Sequence, residues 1–266
     1  MSIDVQPDDK YIVNSLRNGL ALLELFGDTN ATEMSLSQIS ERLGINKSSA
    51  YRLLFTLDNM GYIKKDQNKN YRLGIKAVDL SYAYLNSISY KQEAYCLMQE
   101  LRDKTGTAVH LFTLDGIDVV SLHNIQPLGV FSSNILPGLR WPAYATVIGQ
   151  ILLSSLSDDE IRERYQDFTE WKIYSDATPS NLNELIKLIH KARESQYMIS
   201  WQKFNSDMVA GAAPIKDVYS NKIVYALSVS CPANLFSVEH FEKEIMSQVV
   251  ESSKKLSKIY KPEYNW

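Results

Sequence analysis

The feature that most constrains this chain is the run "SLSQISERLGINKSSAYRLLFTLDNMGYIKKDQNKNYRLG", Ser35 to Gly74. Ser35 is followed three residues later by Gln38, a capping-box pattern that opens a helix with Leu36, Ile39 and Leu43 on one face. Gly44 closes that helix, and Asn46 caps a second in which Ala50, Leu53, Leu54 and Leu57 face inward. Helix, tight glycine-containing turn, helix is the grammar of a helix-turn-helix. Two short β-capable runs follow, "GYIKK" and "YRL", on either side of the turn-rich "DQNKN". A hairpin there makes the unit a winged helix-turn-helix, and a plain surface turn is the other reading. Upstream, "YIVNSLRNGLALLELFG" carries Leu16, Leu20, Leu23 and Phe26 at a helical period and ends at Gly27.

The polar side of the second helix is chemically unusual for a surface that only needs to stay wet. In a helix-turn-helix the N-terminal part of this helix enters the DNA major groove. Here that part carries Lys47, Ser48, Ser49, Tyr51 and Arg52. Serines are short enough to let the helix approach closely, and Lys47 with the helix-start amides can meet a phosphate. Arg52 can read guanine through two hydrogen bonds or hold another phosphate. The wing offers Lys69, Asn70 and Arg72 to the backbone or the minor groove. The plain alternatives are packing of Tyr51 on a neighbouring helix and a salt bridge for Arg52.

Charge distribution leans the same way. The whole chain has a net charge of −3, which by itself would not suggest a nucleic-acid partner. Between Ser35 and Lys76, however, Arg42, Lys47, Arg52, Lys64, Lys65, Lys69, Arg72 and Lys76 face only Glu41, Asp58 and Asp66. The totals of 28 basic and 31 acidic residues then leave 20 basic against 28 acidic elsewhere. A basic module on an acidic body suits a protein of which one part meets phosphate. Charge alone leaves a solvated basic face equally open.

At 266 residues, the chain is long for one core and suits two domains. Lys76 to Ser89 reads as a linker helix, with another from about Lys91. "TAVHLFTL" and "DVVSLHNI" flank the Asp115-Gly116 turn as a hairpin. "AYATVIGQILLSSL" reads as a buried helix, and Ser157 with Glu160 is a second capping box. Asn181 to Ser195 is amphipathic, "MVAGAAPIKD" and "KIVYALSVS" are strand-like, and "VEHFEKEIMSQVVESSKKLSKI" is a long final helix. Strands joined by hairpins among helices make an α+β fold with a mostly antiparallel sheet. No apolar run reaches membrane-spanning length, and the acidic start lacks a secretory h-region, so a cytoplasmic protein is expected. Cys96 and Cys231 read as two small buried hydrophobes.

Catalytic constellations are not evident. His110, His123, His190 and His240 fall on different elements with no metal-ligand spacing, and Asp158-Asp159-Glu160 is simply a helix start complementing its dipole. No phosphate loop, dinucleotide fingerprint or nucleophile elbow occurs. No metal and no cofactor are expected.

Taken together, "SLSQISERLGINKSSAYRLLFTLDNMGYIKKDQNKNYRLG" and its lead-in "YIVNSLRNGLALLELF" resemble the N-terminal winged helix-turn-helix of IclR-type bacterial transcription regulators. "LPGLRWPAYATVIGQILLSSL" and "AGAAPIKDVYSNKIVYALSVSCP" resemble the pocket helix and paired strands of the same family, so the likeness runs from about Tyr11 to Lys258. The resemblance implies a disordered N-terminus (1–10), a winged helix-turn-helix DNA-binding domain (11–75), a linker helix (76–89) and a GAF-like effector-binding domain (90–266). It also implies a homo-oligomer, dimer or tetramer, on a palindromic double-stranded operator, with a small organic-acid effector. Family pockets hold a carboxylate on helix-start amides, here Thr146, Val147 and Ile148, and the serines of the last strand match Ser228 and Ser230. Residues i and i+2 of a strand share a face, so both hydroxyls can enter one cavity.

This chain departs from the family where Val147-Ile148 replaces Gly-Ala, and where Ser200 and Ala210 stand for an acidic residue and a cysteine. A bulkier, more apolar pocket follows, with Trp141 and Tyr144 placed to stack on an aromatic or larger acid. Asp207 is either a polar pocket residue or a loop carboxylate. Two other classes of function are weighed against a regulator. One is a small-molecule-modifying enzyme using the helix-turn-helix for dimerisation, and the other is a ligand sensor acting on protein partners.

Overall fold

The computed structural model describes residues 11–27, 32–87, 91–129, 131 and 133–260. The expected disordered start (1–10) and the last two residues of the expected linker helix (88–89) lie outside the described residues. The chain divides into two compact units, residues 1–87 and 88–266.

In the first unit, α1 (Asn14–Glu24) precedes a two-residue strand β1 (Met34–Ser35), α2 (Leu36–Arg42) and α3 (Lys47–Asn59). The hairpin β2 (Ile63–Lys65) and β3 (Asn70–Leu73) follows, then α4 (Lys76–Ser87). The capping box is formed: the Gln38 amide donates to Ser35 Oγ at 3.4 Å, and the Ser35 amide to Gln38 Oε1 at 2.9 Å. Gly44 takes φ +62° at the turn, in the left-handed region that glycine enters without a Cβ clash. The wing is a three-stranded antiparallel sheet in the order β1-β3-β2, because Met34 pairs with Tyr71 as well. Leu22, Phe26, Met34, Ile39, Leu54, Ile63 and Tyr71 form the core.

Helix α1 corrects the expected apolar face. Leu22 is fully buried, whereas Leu16 and Leu20 are exposed. The reason is the side on which α1 meets α3: Gly19 faces Leu53, whose Cδ2 an added Cβ would just touch, and the Leu16–Leu20 stripe points elsewhere. Helix α4 buries none of its residues.

The second unit is built on a six-stranded antiparallel sheet, order β6-β5-β4-β9-β8-β7. Its strands are β4 (Ala108–Asp115), β5 (Asp118–Ile125), β6 (Arg140–Pro142), β7 (Met198–Trp201), β8 (Met208–Lys216) and β9 (Ile223–Pro232). Helix α5 (Lys91–Thr105) and the terminal helix cover one face, and α6 (Val147–Leu153) and α8 (Leu182–Glu194) the other, with the capped α7 (Asp158–Arg164) beside α8. Strand alternation decides what each face can hold. A Cβ added to Gly211 would run into Met246 and Phe241 of the terminal helix, while Ala212 and Ala226 pack into the α6 core. The terminal helix, α9 (Val238–His240) and α10 (Met246–Ile259), carries a π turn at Phe241–Ile245. Sequence periodicity gives no sign of it.

Cys231 is buried in β9 as expected, but Cys96 is exposed on α5. Position 96 lies on the solvent side of that amphipathic helix, away from Ala94, Met98 and Leu101, which are buried.

Candidate functional site

Two surfaces carry chemistry, one in each unit. On α3, Asn46 Oδ1 accepts from the Ser49 amide at 2.8 Å and so fixes the helix start. One first-turn amide is thereby satisfied, and those of Lys47 and Ser48 still point past the end of the helix without an intrahelical acceptor. Lys47, Ser48, Ser49, Tyr51 and Arg52 are all exposed, while Ala50 and Leu54 are fully buried beneath them. The buried pair holds α3 on its core, which leaves the hydroxyl and basic side chains on the outer face.

Among the described residues Arg52 forms no ion pair. The contact of Tyr51 is with Phe55 one turn further along the same helix, ring centroids 6.4 Å apart. Phe55 is itself 62% exposed, an aromatic that core-facing periodicity could not single out.

In the wing, the Asn70 amide donates to Asp66 Oδ1 at 2.7 Å and the Asp66 amide to the Asn70 carbonyl at 2.8 Å. Lys69 takes φ +65° in that turn, which carries Lys69 and Arg72 exposed and leaves Asn70 half-buried.

The second surface is a cavity of about 350 Å³ between α6 and the sheet. Its walls include Trp141, Thr146, Val147 and Ile148 on one side and Ser228 and Ser230 of β9 on the other. Ser200 and Ala210, facing each other in the β7–β8 register, also line it. Thr146 Oγ1 caps α6 by accepting from the Gly149 amide at 3.0 Å. Trp141 is stacked on Phe112 (5.8 Å) and tilted against Phe204 (5.4 Å). The segment 133–139 forms a further wall and is pinned to β5. Asn124 Nδ2 donates to the Ile135 carbonyl (2.6 Å), Gln126 and Ser133 exchange two bonds, and the Gly138 amide donates to the Ser121 carbonyl (2.7 Å).

Two expected residues lie elsewhere. Tyr144 is buried in the cluster of Tyr165, Phe168 and Trp171, and its hydroxyl is used on the Lys172 backbone: it donates to the carbonyl (3.1 Å) and accepts from the amide (2.8 Å). Burial there pushes its phenol pKa up. The short 3-10 turn at Ala143–Ala145 rotates Tyr144 away from the cavity that its neighbours Trp141 and Thr146 line. Asp207 is exposed in a turn anchored by Asn205 and Ala233, outside the cavity wall, the geometry of a loop carboxylate.

The wall also holds a histidine for which the sequence gives no pocket signal. His110 on β4 is fully buried, and its Nε2 lies 3.0 Å from Ser230 Oγ. Burial drives its pKa down to about 3 against a smaller upward pull from Asn124, so it is neutral at physiological pH. No Asp, Glu, Lys or Arg is among the described residues that line the cavity.

Comparison with known proteins decides what these two surfaces belong to. The family profile described as the IclR helix-turn-helix domain matches residues 15–67. That of the bacterial transcriptional regulator IclR C-terminal domain matches residues 82–258. The chain belongs to the IclR family of bacterial transcriptional regulators.

Among IclR-family relatives, the transcriptional regulator XynR of Escherichia coli is 30% identical over 220 residues, 82% of this chain and 86% of that protein. The IclR regulator of Alicyclobacillus acidocaldarius shares the fold with a TM-score of 0.80 at 23% identity, covering 93% of this chain and 99% of that one. An IclR homologue from Microbacterium hydrocarbonoxydans, solved with 4-hydroxybenzoate, gives a TM-score of 0.76 at 19% identity, covering 92% and 98%. The protein is thus a transcriptional regulator with a helix-turn-helix and a C-terminal ligand-binding domain, in a family of regulators and not of enzymes.

Proposed function

We propose that this IclR-family protein binds a specific double-stranded operator and releases or tightens its hold when a small organic acid, aromatic in character, fills the cavity of the second unit. The observation that carries the DNA half is the exposed, capped start of α3, where Lys47, Ser48, Ser49, Tyr51 and Arg52 stand over buried Ala50 and Leu54. Arg52 and the serines read bases or hold phosphates, and Lys69, Asn70 and Arg72 of the wing grip the backbone beside them. For the effector half, the support is a cavity walled by Trp141, Thr146, Val147, Ile148, Ser228 and Ser230. A related regulator solved with 4-hydroxybenzoate supports an acid of that kind.

The exposed apolar residues of α1 (Leu16, Leu20) and of α4 (Val78, Leu80, Tyr82, Tyr84) support self-association into a dimer or tetramer. A twofold oligomer matches a palindromic operator. Such a protein works in the cytoplasm. No helix among the described residues is long and apolar enough to cross a membrane.

The test is selection of bound duplexes from a random pool, followed by affinity measurement on the enriched sequence. Wild-type protein should enrich a palindrome, and the triple variant Lys47→Ala, Ser49→Ala, Arg52→Ala should lose its preference for that palindrome over bulk DNA. Failure of the wild type to enrich any sequence would sink the proposal.

A further inference from the structure

The polar floor of the cavity has a direction, and that direction selects one kind of ligand group. Ser228 Oγ donates to the Gly211 carbonyl at 2.9 Å. A carbonyl can only accept, so the Ser228 proton is committed and the oxygen turns lone pairs to the cavity. Ser230 Oγ lies 3.0 Å from His110 Nε2, and either atom can be the donor until the tautomer is known.

The neighbouring strands point to one tautomer. His110 lies on β4 between β9, which carries Ser230, and β5, where Asn124 stands opposite it in register. The Asn124 amide is oriented by its own nitrogen, which donates to the Ile135 carbonyl at 2.6 Å. Its remaining atom, Oδ1, is buried with no hydrogen-bond partner of its own, and so is His110 Nδ1. Asn124 Oδ1 can only accept, and its side chain pulls the His110 pKa up, as an acceptor beside a ring N–H does; a proton on Nδ1 serves both orphaned atoms of these register neighbours, and a bare Nδ1 serves neither. The imidazole therefore carries its proton on Nδ1, and Nε2 accepts. Ser230 must then donate to Nε2, which commits its proton as well.

Resting on the reading of this cavity as the effector site, we propose that Ser228, Ser230 and His110 form an acceptor-only floor that recognises a hydroxyl group on the effector. Both serine oxygens face the ligand with lone pairs alone. A carboxylate or an ether oxygen placed there meets like dipoles with no proton to share, whereas a ligand O–H is accepted. An ammonium group could also donate, but no Asp or Glu is among the described residues lining the cavity, and a buried unpaired cation is costly. The effector class is thereby narrowed from an organic acid to a hydroxy acid, with its hydroxyl on β9 and its acid end away from that strand. His110 acts through Ser230 and is a positioning residue.

The experiment uses the full-length protein and four probes, 4-hydroxybenzoate, benzoate, 4-methoxybenzoate and terephthalate, titrated calorimetrically. The expected result is tighter binding of 4-hydroxybenzoate than of the other three by tenfold or more. In Ser230→Ala the ratio of 4-hydroxybenzoate to benzoate affinity should fall to within about threefold of unity; using a ratio cancels any general loss of affinity. A wild-type ratio below threefold with all four acids bound overturns the acceptor floor and leaves the organic-acid reading standing. Binding of none of the four overturns both. A retained preference in Ser230→Ala overturns the role of β9. Independently of any ligand or variant, nitrogen-15 NMR of the histidine rings should find His110 as the Nδ1–H tautomer, unchanged from pH 5 to 8, and an Nε2–H tautomer contradicts the assignment.

Discussion

Replacing Gly149 by alanine tests the placement of α6, the element that forms one wall of the cavity. A Cβ at position 149 would fall inside contact distance of the carbonyl oxygen, Cα and carbonyl carbon of Ala143. All three are backbone atoms, so no side-chain rotation relieves the clash. Every residue of α6 from Val147 to Leu153 is buried, so the helix cannot lift without disturbing the sheet beneath it. Overpacking of a core costs about 1–3 kcal/mol where side chains can yield, and a backbone obstruction belongs at the upper end, about 3 kcal/mol. Gly211→Ala offers the contrast. Its Cβ would meet the flexible Met246 side chain first, so a smaller loss of about 1 kcal/mol is expected.

Urea unfolding followed by tryptophan fluorescence suits the comparison, because all four tryptophans (141, 171, 201 and 266) lie in the second unit. With a slope of about 2 kcal/mol per molar urea, the midpoint should fall by about 1.5 M in Gly149→Ala and about 0.5 M in Gly211→Ala. Equal midpoints for Gly149→Ala and wild type would refute the close approach of α6 to residues 143–145.

Three further outcomes are expected. Arg52→Ala should weaken operator binding by about 1–3 kcal/mol and relax preference at one base position if it reads guanine, or lower the salt slope by about one if it holds phosphate; filter binding across a salt series separates the two. Because the His110 pKa falls from 6.5 unfolded to about 3 folded, the unfolded chain binds the extra proton between those values. Stability is therefore fully present above pH 6.5 and lost as pH drops towards 3. At pH 5 the loss is about 2 kcal/mol, and urea melts of His110→Gln should lack that component. A disulfide reagent should modify Cys96 rapidly in the native protein and leave Cys231 untouched, since burial pushes the Cys231 thiol up to about 12; rapid loss of two thiols would contradict the packing of β9.

The helix pair was legible in sequence because its determinants are local. Ser35 with Gln38, Gly44 and Asn46 mark helix ends through contacts three to five residues apart, and the structure forms each of them. Strand β1 was not legible. Met34 and Ser35 have no strand signature of their own and are made a strand by Tyr71 and Asn70.

The same division separates the parts of the cavity. Ser228, Ser230 and Thr146 were legible through the resemblance to the family's pocket, and strand alternation adds only that the two serines share a face. His110 sits inside the apolar run "TAVHLFTL" and looks like a core histidine until β4 is laid beside β9, 120 residues later. Tyr144 was misplaced for a converse reason. Phe168 and Trp171, which surround it, come from an irregular segment whose position no periodicity encodes.

The central claim is that filling the cavity changes the hold on DNA, and linkage makes that measurable in one quantity. An effector that binds the two conformations differently must shift operator affinity by the same factor by which the operator shifts effector affinity. The direct measurement is the dissociation constant for the selected palindrome with and without saturating 4-hydroxybenzoate, paired with calorimetry of 4-hydroxybenzoate on free and operator-bound protein. The account predicts a change of about fivefold or more in either direction, equal in the two experiments. Operator affinity that stays the same while the cavity is demonstrably filled would contradict it.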